Sequence, residues 1–263
     1  MRILFFGDIV GKPGRHAVAS LIAPLRERYQ PDVIVANAEN AAGGFGLTAK
    51  VIQELFRIGV DLITTGNHVW DKKEALKLIE AEERVIRPLN FAPECPGKGF
   101  ARLELPDGRV LWIVNLQGKV MMPPIACPFR AMDAFLVQVP KEERCILVDF
   151  HAEATSEKRA MGFYLDGRAS LVVGTHTHVQ TNDAEILPMG TGYLSDAGMT
   201  GSFASVIGMD VEDSTKRILT GMPVLLNVAK GNEKAAIVFA DIDDASGKCM
   251  TLETCIEPAP PSR

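Results

Sequence analysis

The chain has 263 residues, 47% of them hydrophobic and 23% charged, the composition of a folded globular protein with room for one large domain or two small ones. Its net charge of −5 argues against general binding of duplex nucleic acid, for which a basic chain is the rule. Five cysteines (Cys95, Cys127, Cys145, Cys249, Cys255), odd in number and without a C-x-x-C pair, argue against a disulfide framework or a thiolate zinc site and for a reducing compartment. No apolar run reaches the roughly 20 residues of a membrane helix. The opening Ile3-Leu4-Phe5-Phe6 lacks the layout of a signal peptide, so the expected location is the cytoplasm, with no membrane partner.

Strand and helix patterns alternate through the first half. A strand over Arg2–Phe6 leads through Gly7-Asp8 to a helix over Pro13–Tyr29, with Pro13 suited to a first helical turn. A strand over Val33–Ala36, a glycine-rich loop and a helix from Thr48 follow. A third strand, Asp61–Thr65, runs into Gly66-Asn67-His68 and a helix over Lys72–Glu82. Asp71 and Glu74 have capping-box spacing at its start. This βαβαβ order predicts a mainly parallel sheet covered by helices.

The pattern then changes. Phe100–Leu105 and Arg109–Asn115 flank Pro106-Asp107-Gly108, a hairpin signal. A helix over Phe129–Val137, a buried strand over Cys145–Phe150, a helix over Ser156–Phe163 and a strand over Ser170–Val173 follow. Short strands are expected at Ala184–Leu187 and Gly192–Leu194, then a loop from Asp196 to Gly201 and a helix over Glu212–Leu219. Antiparallel strands are expected at Val224–Ala229, Ala235–Asp241 and Met250–Glu257, and a frayed tail from Pro258. No internal repeat or linker stands out. The expectation is one domain over 1–263, with an insertion or cap over about 85–135.

The polar residues cluster where these strands end. The chain has five histidines. Four of them, His68, His151, His176 and His178, follow apolar runs, and two further runs end in Asp8 and Glu39. In open α/β sheets ligands bind beyond the carboxyl ends of the strands. Asp8, Glu39, Asn40, Asn67, His68, His151, His176 and His178 are all placed there. On an extended segment His176 and His178 would point to one face. Carboxylates, amides and imidazoles without thiolates suit Mn²⁺, Fe or Zn²⁺. Two cations held roughly 3.5–4 Å apart can clamp a phosphoryl displacement and acidify a water.

Gly7-Asp8, Asn37-Ala38-Glu39-Asn40, Gly66-Asn67-His68, His151 and His176-Thr177-His178 resemble, in order, the blocks of the calcineurin-like metallophosphoesterases. Gly66-Asn67-His68-Val69-Trp70-Asp71, His151-Ala152-Glu153-Ala154-Thr155 and Asp196-Ala197-Gly198-Met199-Thr200-Gly201 are similar to the YmdB-type branch, the 2′,3′-cyclic-nucleotide phosphodiesterases. The resemblance covers nearly the whole chain. Where the broad superfamily has Asp-x-His and a bridging Asp, this chain has Val10 and Glu39, as the YmdB-type branch does.

The resemblance implies a four-layer α/β sandwich of two mixed sheets flanked by helices, with two metal ions, Fe or Mn ahead of Zn or Mg. Carried over residue by residue, it puts Asp8, Glu39, Asn40 and His178 on one metal. It puts Asn67, His151 and His176 on the other, with Glu39 bridging. His68 would be the catalytic acid, and a hydroxide between the metals would attack phosphorus. The implied substrate is a 2′,3′-cyclic nucleotide or related phosphodiester. The rivals are a phosphomonoesterase or protein phosphatase on the same metal pair, and a nucleotide sensor without turnover. Assembly is left open, a homo-oligomer included.

Other residues carry plainer readings. Asp71 either caps its helix or orients His68. Gly43-Gly44-Phe45-Gly46 lacks a Walker lysine and reads as an active-site loop. Asp196–Gly201 either lines the site or forms a turn. Lys12, Arg15, Lys119 and Arg130 are candidates for phosphate contact. His16 reads as a surface residue, Cys145 as an inert buried thiol, and Trp70 and Trp112 as packing.

Overall fold

The computed structural model describes residues 1–261. In chain order the strands are β1 (Arg2–Phe6), β2 (Asp8–Ile9), β3 (Val33–Asn37), β4 (Leu62–Thr64), β5 (Phe100–Glu104), β6 (Val110–Gln117), β7 (Cys145–His151), β8 (Leu171–Thr175), β9 (Glu185–Ile186), β10 (Gly192–Leu194), β11 (Met199–Ser202), β12 (Glu233–Ile242) and β13 (Cys249–Pro258). The helices are α1 (Gly11–Tyr29), α2 (Ala49–Ile58), α3 (Ala75–Ala81), α4 (Pro128–Leu136), α5 (Thr155–Leu165) and α6 (Val211–Thr220).

Two mixed sheets stack face to face. In the first, β1, β3 and β4 are parallel neighbours. β12 runs antiparallel to β1 and β11 along one edge and to β13 along the other. In the second, β6, β7, β8 and β10 are parallel, and β5 and β9 close the two edges antiparallel.

Alternation of side chains along the strands sorts the apolar residues into three layers. Ile3, Phe5, Val33, Val35 and Leu62 face Leu111, Ile113, Leu147, Leu171 and Val173 between the sheets. Leu4, Phe6, Ile34 and Ala36 turn outward under α1 and α2, against Val18, Leu21 and Leu55. Trp112, Val114, Val148 and Phe150 turn outward under α4 and α5, against Met132, Phe135 and Met161. This is the expected four-layer α/β sandwich. The stretch 85–135 supplies β5 and β6 to the second sheet and α4 to its outer face.

Most elements stand within a residue or two of their predicted bounds. Thr48 caps α2 by accepting from the Val51 amide at 3.3 Å, and Pro128 opens α4 where its missing N–H costs nothing. Four expectations differ. α3 starts at Ala75 rather than Lys72, because the preceding residues form turns and Glu74, at its N-cap, makes no side-chain cap bond. Val224–Ala229 is not a strand. It lacks a partner strand, meets Met209 in a single bridge through Val228, and packs Val228 against Gly11 and Gly44. The loop predicted from Asp196 to Gly201 is half strand, since β11 pairs with β2 and β12. The tail is paired beyond Pro258, the Ala259 amide donating to Glu233 at 2.9 Å. Residues 262 and 263 lie outside the described residues.

Candidate metal centre

The inner face of the second sheet changes character along its length. Leu111, Ile113, Asn115 and Gln117 lie in register with Cys145, Leu147, Asp149 and His151. Leu147, Asp149 and His151 in turn lie beside Leu171, Val173 and Thr175. One row of positions thus runs from apolar to polar towards the carboxyl ends of the strands. β1, β3 and β4 end opposite it, followed by Asp8, Glu39–Asn40 and Asn67–His68.

All eight predicted site residues line this crevice or its floor. Asp8, Glu39 and His151 are fully buried and Asn40 is 3% exposed. Glu39 Oε1 is 3.0 Å from His151 Nε2 and accepts from Asn40 Nδ2 at 3.2 Å. Its Oε2 accepts from the His68 amide at 2.9 Å. His151 Nε2 also lies 3.0 Å from Asn67 Oδ1 and 3.1 Å from His176 Nδ1. Across the crevice, His178 Nε2 lies 3.1 Å from Asn40 Nδ2 and 3.9 Å from Asp8 Oδ1.

The donor set and its environment fit metal ions. Glu39, His151 and His176 each present a ligand atom, all within 4.8 Å of one another. Asp8 Oδ1 is buried with no hydrogen-bond partner among the described residues, although such an atom costs about 1–3 kcal/mol when left unpaired. Burial pushes the Asp8 carboxyl above its usual range. Burial would do the same to Glu39, but the adjacent His151 outweighs it and holds the carboxyl at about 2. Burial opposes charge on His151, and Glu39 beside it wins, raising the imidazole to about 9. Burial and then His151 push His176 down to about 3, a neutral imidazole.

Outer hydrogen bonds fix which nitrogen each ring offers. The Thr175 hydroxyl donates to Asp149 at 2.6 Å and therefore accepts from His151 Nδ1 at 2.9 Å, which leaves Nε2 for the crevice. Burial pushes the Asp149 carboxyl up to about 6, and Asn37 Nδ2 donates to its other oxygen at 3.0 Å. His178 Nδ1 donates to the Ile207 carbonyl at 2.8 Å. Glu153 lies 3.1 Å from His176 Nε2.

The two histidines of the pair do not sit on an extended segment as the spacing suggested. β8 stops at Thr175, and His176 and His178 both have left-handed backbones, with φ of 101° and 67°. Conformations of this kind cost on the order of 1–3 kcal/mol each and persist only when their surroundings enforce them. Here Asp196 does so. Its Oδ2 accepts from the Thr177 amide at 3.1 Å and the Thr177 hydroxyl at 2.8 Å. Lys158, 2% exposed, neutralises it at 2.6 Å. The His176 amide also donates to Asp8 Oδ2 at 3.2 Å.

His68 stands at the mouth of the cleft. Asp71 does not cap α3; its carboxylate accepts from His68 Nδ1 at 2.8 Å, leaving Nε2 as the free ring nitrogen. The Phe45 ring meets the imidazole edge-on at 5.0 Å, which gives the glycine-rich loop its place beside the site. The cleft, of about 300 Å³, is lined by Glu39, His68, His176, His178, Phe45 and Met209 among others, and by no lysine or arginine among the described residues. Of the cationic candidates, Arg15 is engaged by Glu54 at 3.0 Å and the Ala41 carbonyl at 2.7 Å. Lys12, Lys119 and Arg130 do not line the cleft. His16 pairs with Glu233. Reasoning from sequence missed Asp149, Thr175, Lys158 and the position of Glu153 beside His176. The signal for Lys158 was a lysine on the buried stripe of α5.

Two stacked mixed sheets whose strand ends gather buried carboxylates, amides and imidazoles around one cleft define a metallophosphoesterase-type enzyme fold. The family of YmdB-like proteins matches residues 4–255, and the chain belongs to it. It is 47% identical over 253 residues to a Bacillus subtilis (strain 168) protein named 2′,3′-cyclic-nucleotide 2′-phosphodiesterase, covering 96% of each chain. A crystal structure of a Thermus thermophilus protein without assigned function superposes with a TM-score of 0.93 at 44% identity, covering 99% of this chain and 100% of that one. A Mycoplasma pneumoniae structure described as a novel phosphatase also gives 0.93, at 33% identity, covering 99% and 94%. Among the described residues no helix is long and apolar enough to cross a membrane.

Proposed function

We propose that the protein hydrolyses 2′,3′-cyclic nucleotides to nucleoside monophosphates with two metal ions, in the cytoplasm. The observation that carries this is the buried, unpaired Asp8 Oδ1 beside the Glu39, His151 and His176 cluster. The name of the B. subtilis relative supports the substrate class. Asp8, Glu39, Asn40 and His178 would hold one ion, and Asn67, His151 and His176 the other, with Glu39 lying between the two sets. Iron or manganese suits these donors best. Such ions, when bound, supply polarisation of the phosphoryl oxygens and a water acidic enough to lose its proton near neutral pH.

The chain's own residues do the rest. Among the described residues no lysine or arginine lines the cleft, so most of the charge facing the phosphate would come from the bound ions. His68, fixed through Nδ1 by Asp71, presents Nε2 to the ribose oxygen that leaves. The attacking water releases one proton to solvent as its oxygen bonds to phosphorus, the P–O bond to the leaving oxygen breaks, and the proton from Nε2 goes to the departing alkoxide.

The test is metal analysis of purified protein, followed by assay of the manganese- or iron-loaded form. The panel holds 2′,3′-cyclic nucleotides, nitrophenyl diesters and phosphomonoesters. Turnover of the cyclic diesters with two metals per chain is expected. Hydrolysis of monoesters alone would replace the reading by a phosphomonoesterase, and binding without turnover would replace it by a sensor.

A further inference from the structure

A second hollow adjoins the metal centre on the β6 side. Gln117 stands opposite His151 in the parallel register, on the same face of the sheet. Beyond it lies a space of about 480 Å³ lined by Asn67, Trp70, Phe91, Gln117, Pro124 and Ile125 among others. Asn67 belongs to both sites, its Oδ1 lying 3.0 Å from His151 Nε2. The walls are largely apolar and partly aromatic, the Trp70 and Phe91 rings lying 6.0 Å apart at a tilt of 38°. Trp70 packs on the outer core and also walls this hollow.

Gln117 is the unpaired group of this hollow. Asn90 fixes its backbone from both sides, accepting from the Gln117 amide at 2.9 Å and donating to its carbonyl at 2.8 Å. The side chain is different: Gln117 is 1% exposed, and its Oε1 is buried without a hydrogen-bond partner among the described residues. A buried amide left unpaired is destabilising unless a ligand completes it. Apolar walls with one or two convergent polar groups are the pattern of a small-molecule site. A nucleobase fits this chemistry. Its faces stack on aromatic rings, and its edge offers the adjacent donor and acceptor that a glutamine amide reads, as it does on adenine.

We infer that this hollow holds the base of the cyclic nucleotide, with Gln117 reading its edge, while the phosphate lies at the metal centre. The inference rests on the proposed function and names the part of the substrate that this face of the site recognises.

Two variants test it. Gln117→Leu keeps the bulk and removes the amide; Ala126→Trp fills the hollow from an exposed wall position. Each is compared with the wild type in two ways. One is retention of adenosine, which has no phosphate, in equilibrium dialysis. The other is kcat/KM for 2′,3′-cyclic AMP relative to a methyl riboside 2,3-cyclic phosphate, which has no base. Both variants are expected to lose adenosine retention. Their preference for the nucleotide over the riboside should fall about tenfold or more, through KM, the equivalent of one lost polar or stacking contact. Retained adenosine and unchanged preference in both variants would overturn the inference. If Gln117→Leu does not fold, Ala126→Trp decides alone. If the wild type cleaves neither diester, the hydrolase reading fails while the dialysis still decides the pocket.

Discussion

Gly66 packs directly against two side chains of the metal centre. A methyl group at this position would lie 2.4 Å from His151 Nε2 and 2.5 Å from Glu39 Oε2. Neither neighbour can swing away, because both side chains are fully buried. His151 is further held through Thr175 and Glu39 through the His68 amide. Restoring ordinary van der Waals contact requires both His151 and Glu39 to retreat by about 1 Å. Overpacking of this size costs about 1–3 kcal/mol of stability, and a misplacement of about 1 Å costs roughly 10²-fold in rate. Gly66→Ala is therefore expected to fold, to melt a few degrees low, to carry less metal and to lose roughly two orders of magnitude in turnover. Gly108→Ala is the control. Its φ of 85° makes it costly for alanine, but nothing lies within 4 Å and it sits in a hairpin remote from the site. It should lower stability by about 1 kcal/mol and leave metal content and turnover intact. The measurements are elemental analysis after loading, thermal melting and kcat on the cyclic diester. A Gly66→Ala protein with wild-type metal content and kcat would refute the claim that this contact sets the centre's geometry.

His68→Ala is expected to keep both metals and lose roughly 10²–10⁴-fold in turnover; loss of metal would mean that His68 is a ligand instead. Lys158→Met leaves Asp196 buried without its cation, their side chains being 3% and 1% exposed. Urea unfolding should show a loss of about 3–5 kcal/mol, and a loss under about 1 kcal/mol would contradict the structural role given to the pair. Burial pushes the Cys145 and Cys249 thiols up to about 11, so iodoacetamide at pH 8 should leave them unmodified in the native protein and label them only in denaturant. Mass spectrometry reads this directly, and rapid native labelling of either would show that the strands carrying them open readily.

The fold was legible because its signals are periodic or local. The apolar runs from Ile3 to Phe6 and from Leu111 to Val114, the Thr48 cap and the Pro106-Asp107-Gly108 hairpin each specify structure without help from distant residues. The residues of the centre were legible because they follow strand ends. How they converge was not. Residue spacing carries no φ angle, so a left-handed backbone at His176 and His178 looked like two steps of a strand. Asp71 has the spacing of a cap, and only the position of the His68 ring shows that its carboxylate is engaged elsewhere. Asp149 and Lys158 became visible only with the sheet register and the helix packing, which decide that one lies beneath a histidine and the other beneath a loop. Val224–Ala229 is apolar enough for a strand, but a strand needs a neighbour, and the sequence does not say where neighbours are.

The pairing of β1 with β12 has a consequence for biosynthesis. Arg2 to Phe6 align with Asp241 to Ile237, and β2, which carries Asp8, is held by β11, itself paired with β12. β1 is made long before β12 and thus waits with one edge unsatisfied until residues 237–241 have been translated, and a nascent chain cannot seat Asp8 earlier. Metal delivered during synthesis would find only fragments of its coordination sphere. Loading is expected to follow the closing of this sheet, and a chaperone that shields the waiting β1 edge should raise the yield of active enzyme.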